Sequence, residues 1–202
     1  MRHPSTRAVY EYWDKRRGTR LAPERNDIDP AVIRSALGDT IMLAADFVDH
    51  WRFRLAGTRV CALFGRELKG ESFSVLWREQ SRSSLESLLN IVGDESVGAV
   101  AGLNGRTADG DQASLEMLLL PLAHSGLARI RAIGVLVPMV PPYWLGEKPV
   151  MELTLGTLRH VGPAVETGSR RRLVPADGNR RVRHGFTVYS GGREAPPGER
   201  AG

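Results

Sequence analysis

Cysteine is nearly missing from this chain. Cys61 stands alone among 202 residues, which excludes an internal disulfide, a zinc knuckle and a CxxC redox pair. Long apolar runs are missing too. No segment approaches the roughly 18 consecutive apolar residues that a membrane span requires. The first residues, Met1-Arg2-His3-Pro4-Ser5, have no apolar stretch behind their basic side chains, so no secretory signal is expected and the cytoplasm is the expected compartment. The sequence also lacks a Gly-x-Ser-x-Gly nucleophile elbow, a Walker-type phosphate loop and a His-Glu-x-x-His metal motif. Its paired acids, Asp94-Glu95 and Asp109 with Asp111, fall where turns are expected and where acids are common. No acid–base partner is identifiable, so no catalytic residue and no metal ligand are assigned, and a non-enzyme is expected.

What is present is a chain able to build a core. Hydrophobic residues make up 42% of it and aromatic residues only 6%, a balance that fits a folded domain with extensions. The formal charge of +5 is unevenly placed. From Pro163 to Gly202 there are eight arginines and no lysine against four acids, a local balance of +4. Such a segment is either a solvated extension or a surface for an anionic partner.

Periodicity divides the chain. Ser5 or Thr6 can cap a first helix whose Val9, Tyr12, Trp13 and Arg16 share one face, with Gly18 as its stop. Asp29-Pro30 opens a short helix that buries Ile33 and Leu37 and closes at Gly38. Ile41 to Val48 reads as a strand, Asp49-His50 as a tight turn, and Trp51, Phe53 and Leu55 alternate with Arg52, Arg54 and Ala56 as a second strand. Gly57 to Trp77 is cut by Gly65 and Gly70 into short helical turns. A longer helix follows over 78–92, with Leu85, Leu88, Leu89 and Val92 on one stripe and Gly93 as its stop. Val97 to Thr107, Gln112 to Leu120 and Ala128 to Val137 read as strands, joined by turns at Asp109-Gly110 and Ser125-Gly126. The unbroken Leu118-Leu119-Leu120 run predicts a central strand covered on both faces. Pro141 to Gly146 is a stiff link, Leu153 to Arg159 adds a strand or a short helix, and the remaining tail is polar apart from the island Phe186 to Tyr189. There is no internal repeat.

Two strands, short helical turns, one longer helix and three strands predict an α+β protein with an antiparallel sheet. Two stretches sharpen this. Phe64-Gly65-Arg66-Glu67-Leu68-Lys69-Gly70-Glu71-Ser72-Phe73 resembles the glycine-led Glu-Leu-x-Gly-x-Ser-Phe signature of PAS domains. Gly105-Arg106-Thr107-Ala108-Asp109-Gly110 resembles the Asp-Gly turn that joins two of their strands. Gly57 to Gly65 and the Pro-Pro-Tyr-Trp-Leu-Gly element are similar to a bacterial branch of small single-PAS proteins. The resemblance runs from about Tyr10 to Leu145. It implies a five-stranded antiparallel sheet with short helices on one face, preceded by an N-terminal helix and followed by a basic tail. The expected division is an N-terminal helical extension at 1–38, the PAS-like domain at 39–145 and a C-terminal extension at 146–202.

The resemblance implies a non-catalytic sensor and interaction module acting through a protein partner, with a homodimer expected. It also implies a pocket between sheet and helices that holds a small ligand or only side chains. Its candidate lining is Cys61, Phe64, Phe73, Trp77, Met117, Leu119 and Val135, with Leu63 and Leu76 beside them; plain core packing is the alternative. Trp77 stands out because a buried indole normally finds a polar partner, either a ligand or a backbone carbonyl. No cofactor is assigned. Haem is disfavoured because 78–92 holds no histidine and His50, His124, His160 and His184 fall elsewhere. Flavin photochemistry is disfavoured because Cys61 lies among Val60, Ala62 and Leu63, in a setting typical of a small buried hydrophobe. Tyr12 and Trp13 are interaction candidates, since their stripe must cover this domain or a second copy. Arg170, Arg171, Arg172, Arg180, Arg181 and Arg183 are anion-binding candidates, the basis of an alternative in which the tail binds nucleic acid or a nucleotide messenger.

Overall fold

The computed structural model describes residues 1–45, 51–123 and 131–162, with the backbone of 180–183 and 186–189. Helix α1 (Pro4–Arg17) begins one residue earlier than the expected hydroxyl cap. His3 is its N-cap, and His3 Nδ1 accepts from the Ser5 amide at 3.2 Å. Proline at the first helical position suits a start that leaves its amides free. Gly18 ends the helix with φ 58°, after Lys15, Arg16 and Arg17 in its last turn. Asp29 opens a turn by accepting from the Ala31 amide rather than capping a helix, and a 3-10 helix over Arg34–Asp39 runs through Gly38.

Eight strands form one sheet: β1 (Thr40–Ala45), β2 (Trp51–Ala56), β3 (Gly98–Thr107), β4 (Gln112–Leu122), β5 (Arg131–Pro138), β6 (Val150–Val161), β7 (Arg180–Arg183) and β8 (Phe186–Tyr189). Their order is β2-β1-β5-β4-β3-β6-β8-β7. The first six pair antiparallel, and β8 joins β6 in parallel through Leu158 and Val188. The strand count therefore exceeds the expected five. The ambiguous segment at 153–159 belongs to a twelve-residue strand paired along β3, and the island at 186–189 is β8. The Asp49-His50 and Ser125-Gly126 turns lie outside the described residues.

Strand β4 is central, as the triple leucine predicts, and its side chains alternate between two cores. Leu115, Met117 and Leu119 enter an inner cluster with Phe53, Phe73, Trp77 and Leu88. Leu118, Leu120 and Leu122 enter an outer cluster with Val9, Trp13, Ile133 and Val137. The inner cluster is covered by α2 (Thr58–Phe64), a 3-10 turn at Phe73–Leu76 and α3 (Glu79–Asp94). Gly65 terminates α2 in the left-handed region at φ 63°, and Gly70 turns the chain at φ 88°. Helix α3 passes through Gly93 and ends at Asp94; the left-handed residue beyond it is Ser96, φ 53°. Among the described residues, no helix is long and apolar enough to cross a membrane.

Candidate functional site

The inner layer gathers most of the predicted lining. Phe64, Phe73, Trp77, Met117 and Leu119 are all buried in one cluster. Phe73 packs edge-on between two aromatic neighbours, 5.3 Å from the Phe53 ring and 5.7 Å from the Trp77 ring. This arrangement pairs ring edges with ring faces, the favoured geometry for aromatic contacts.

Trp77 sits where the 3-10 turn hands over to α3. Its backbone N–H donates to the Ser74 carbonyl at 3.1 Å, and the next amide, Arg78 N–H, donates to Leu153 O on β6 at 3.0 Å. The backbone of Trp77 is thus tied to the sheet on one side and to the turn on the other. Its indole has no such tie. Trp77 is 2% exposed, and among the described residues its Nε1 has no hydrogen-bond acceptor. Of the two partners expected for this N–H, no backbone carbonyl fills the role among the described residues.

Two predicted lining residues lie elsewhere. Val135 points into the outer cluster, because β5 alternates and its inward residues are Ala132 and Leu136. Cys61 lies on the half-buried side of α2, outside the inner cluster, rather than as a buried hydrophobe. Its Sγ is 3.7 Å from Glu67 Oε1 and 3.8 Å from Ala56 O, and burial first, with Glu67 adding to it, pushes the thiol up. A thiol held protonated in this way is a poor nucleophile.

Tyr12 and Trp13 are also relocated. Trp13 is 0% exposed and donates its indole N–H to Pro121 O at 2.8 Å. The Tyr12 hydroxyl donates to Asp27 O and accepts from the Asp29 amide at 2.7 Å. The aromatic stripe of α1 covers the outer face of this same sheet, so neither side chain is open to a partner. Of the basic candidates, Arg180, Arg181 and Arg183 fall on β7, whereas Arg170, Arg171 and Arg172 lie outside the described residues.

Sequence reasoning missed two buried carboxylates that hold the start of α1. Glu116 on β4 accepts from the amides of Arg2 (2.8 Å) and His3 (3.0 Å). Burial pushes its carboxyl up, but those two amides outweigh this and hold it below the usual carboxylate range. Asp39 accepts from Ser5 Oγ at 2.6 Å and from Arg59 Nε at 2.6 Å. Burial raises it, and the bonds from Arg59 and Ser5 bring it below its ordinary value. A lone acid inside Leu115-Glu116-Met117-Leu118 was the available signal for the first. The paired turn acids were also underestimated: Asp109 and Asp111 both bind Lys148 Nζ, at 3.1 and 2.8 Å.

A family model described as "PAS domain" matches residues 1–137. No curated protein matches the chain. Solved structures with a similar fold include the PAS domain of a protein from Colwellia psychrerythraea, at 13% identity and TM-score 0.40 over 55% of this chain and 98% of that one. The dark structure of the blue-light photoreceptor Aureochrome1 LOV follows, at 14% identity and TM-score 0.42 over 55% of this chain and 82% of that one. A light-oxygen-voltage domain studied with a flavin analogue aligns at 11% identity and TM-score 0.44, over 56% of this chain and 85% of that one.

Proposed function

The chain belongs to the PAS domain family, and from that membership we propose that it is a non-catalytic regulatory sensor. In this reading it binds a small molecule between its inner sheet face and its helices and acts through a protein partner. The observation that supports a ligand is the Trp77 indole N–H, buried and without an acceptor among the described residues. An unsatisfied buried donor costs about 1–3 kcal/mol, and a ligand bearing a carbonyl or other acceptor at this point would recover that cost. Phe73, 5.7 Å from the Trp77 ring, and Phe64 and Met117 of the same cluster would give such a ligand apolar contacts. The half-buried, protonated thiol of Cys61 lends no support to a flavin adduct.

The test is a thermal-shift screen of the purified full chain, with mass spectrometry of small molecules released on denaturation. A compound at 100 times its Kd adds about 2.7 kcal/mol of stability, and Trp77→Phe, which removes the donor, should reduce that shift. If nothing is released and no compound shifts the wild-type protein, or if Trp77→Phe shifts equally, the ligand-binding part of this proposal fails.

A second reading rests on β7, where Arg180, Arg181 and Arg183 fall within one four-residue strand at the end of the sheet order. Arginine forks suit phosphates. Truncation after Gly162, which removes β7 and β8 but keeps β6, should then abolish nucleic-acid or nucleotide binding, and binding by the full chain should weaken steeply with salt.

A further inference from the structure

Helix α1 covers only part of the outer sheet face. Beside its start lies a depression of about 450 Å³, bordered by Arg2, Glu116, Thr157 and Arg159 with Gly102 beneath. Its volume falls within the range of small-molecule sites, about 300–1,000 Å³. The depression is built by backbone chemistry. Gly102 on β3 pairs with Glu116 on β4 and with Thr157 on β6. A Cβ on Gly102 would lie 2.7 Å from Thr157 Oγ1, so only glycine leaves the floor open. Next to it the β3–β6 register slips, with Gly102 opposite Thr157 but Leu103 opposite Leu155. Gly156 is the extra residue, and its own Cβ would lie 3.0 Å from Gly102 O. The bulge reverses the parity of β6, turning Thr157 and Arg159 to the outer face while Leu153 and Leu158 stay inside. Bulges commonly re-aim side chains in this way beside functional sites.

The charges at this place are unevenly satisfied. The Glu116 carboxylate is engaged by the Arg2 and His3 amides. Among the described residues, the guanidinium groups of Arg2 and half-buried Arg159 bind no acceptor and no acid. Guanidinium groups recognise carboxylate and phosphate oxygens through paired N–H donors. We propose that this depression is an oxyanion site, in which the carboxylate or phosphate group of a small molecule binds the Arg2 and Arg159 guanidiniums with the Thr157 hydroxyl as a further donor. The Met1 ammonium, 3.9 Å from Glu116 Oε2, also borders the depression, so the glutamate is already matched and both arginines remain for an anionic group. The site is separate from the inner layer around Trp77, on the opposite face of the sheet.

The test uses the full chain at constant ionic strength, titrated with sodium acetate, inorganic phosphate or sodium chloride, and followed by backbone amide NMR. Saturable shifts at Arg2, Gly102, Gly156 and Thr157 with acetate or phosphate, but not chloride, are expected. Saturation by acetate assigns a carboxylate and saturation by phosphate a phosphate group. Arg159→Gln should weaken binding about tenfold, the loss of one charge-assisted contact. The exposed Arg2→Gln, which leaves the fold untouched, should weaken it in the same direction. No saturable shift beyond the chloride control, or unchanged affinity in both variants, would overturn the proposal.

Discussion

Trp13 provides the sharpest check on how the two faces of the sheet are used. Its side chain is fully buried against the outer cluster and its N–H is bonded to Pro121 O at 2.8 Å. Trp13→Phe keeps an aromatic ring but removes the donor and part of the volume, leaving a buried carbonyl short of a partner at a cost of about 1–3 kcal/mol. Trp13→Ala opens a cavity as well, and truncating a buried tryptophan costs about 3–5 kcal/mol. For a chain of this size each kcal/mol lowers Tm by about 2–4 °C, so Trp13→Ala should melt about 6–20 °C lower. Urea unfolding followed by far-UV circular dichroism, with size-exclusion chromatography in parallel, measures both stability and assembly. A loss below about 1 kcal/mol, or dissociation of an oligomer at unchanged stability, would refute the reasoning. Either result would return Trp13 to the role of a contact for a second copy.

Other consequences can be measured more briefly. Gly134 lies between β1 and β4, where a Cβ would sit 2.2 Å from Leu118 O; Gly134→Ala should cost about 3 kcal/mol or more by overpacking, visible as loss of soluble folded protein or a collapsed urea midpoint. Asp39 and Glu116 both have folded-state values below their unfolded ones. Their stabilisation is therefore present above the ordinary carboxylate range and is lost as pH falls through it and on to the folded values. The urea midpoint should drop in that window, and Glu116→Gln should flatten the drop. Asp39→Ala should destabilise by about 2 kcal/mol, less than the about 3–5 kcal/mol of a fully buried pair, because the Arg59 side chain is 58% exposed.

Much of the fold was legible because its signals are local and periodic. The alternation of Trp51 and Phe53, the stripe of Leu85, Leu88, Leu89 and Val92, and the left-handed glycines at 65, 70 and 110 all act within a few residues. The triple leucine of β4 announced a strand with a core on each side. What stayed hidden depends on parity and on distant partners. Val135 was assigned to the wrong face because one residue of phase in β5 exchanges the two cores. Strand β6 was ambiguous because the bulge at Gly156 breaks its alternation, and the same bulge conceals the outward turn of Thr157 and Arg159. The roles of Asp39, Glu116 and Lys148 depend on residues far away in sequence, Arg59, Arg2 and Asp109 among them. Trp77 was singled out correctly as a buried indole, yet only the coordinates show that no carbonyl among the described residues accepts from it.

The most direct measurement for a ligand-holding inner layer is the indole ¹H–¹⁵N resonance of Trp77, assigned by its disappearance in Trp77→Phe. When a compound that stabilises the chain is added, or when a co-purified one is removed, that resonance should move more than those of the other three tryptophans. An indole signal that stays fixed while the compound binds would contradict the account.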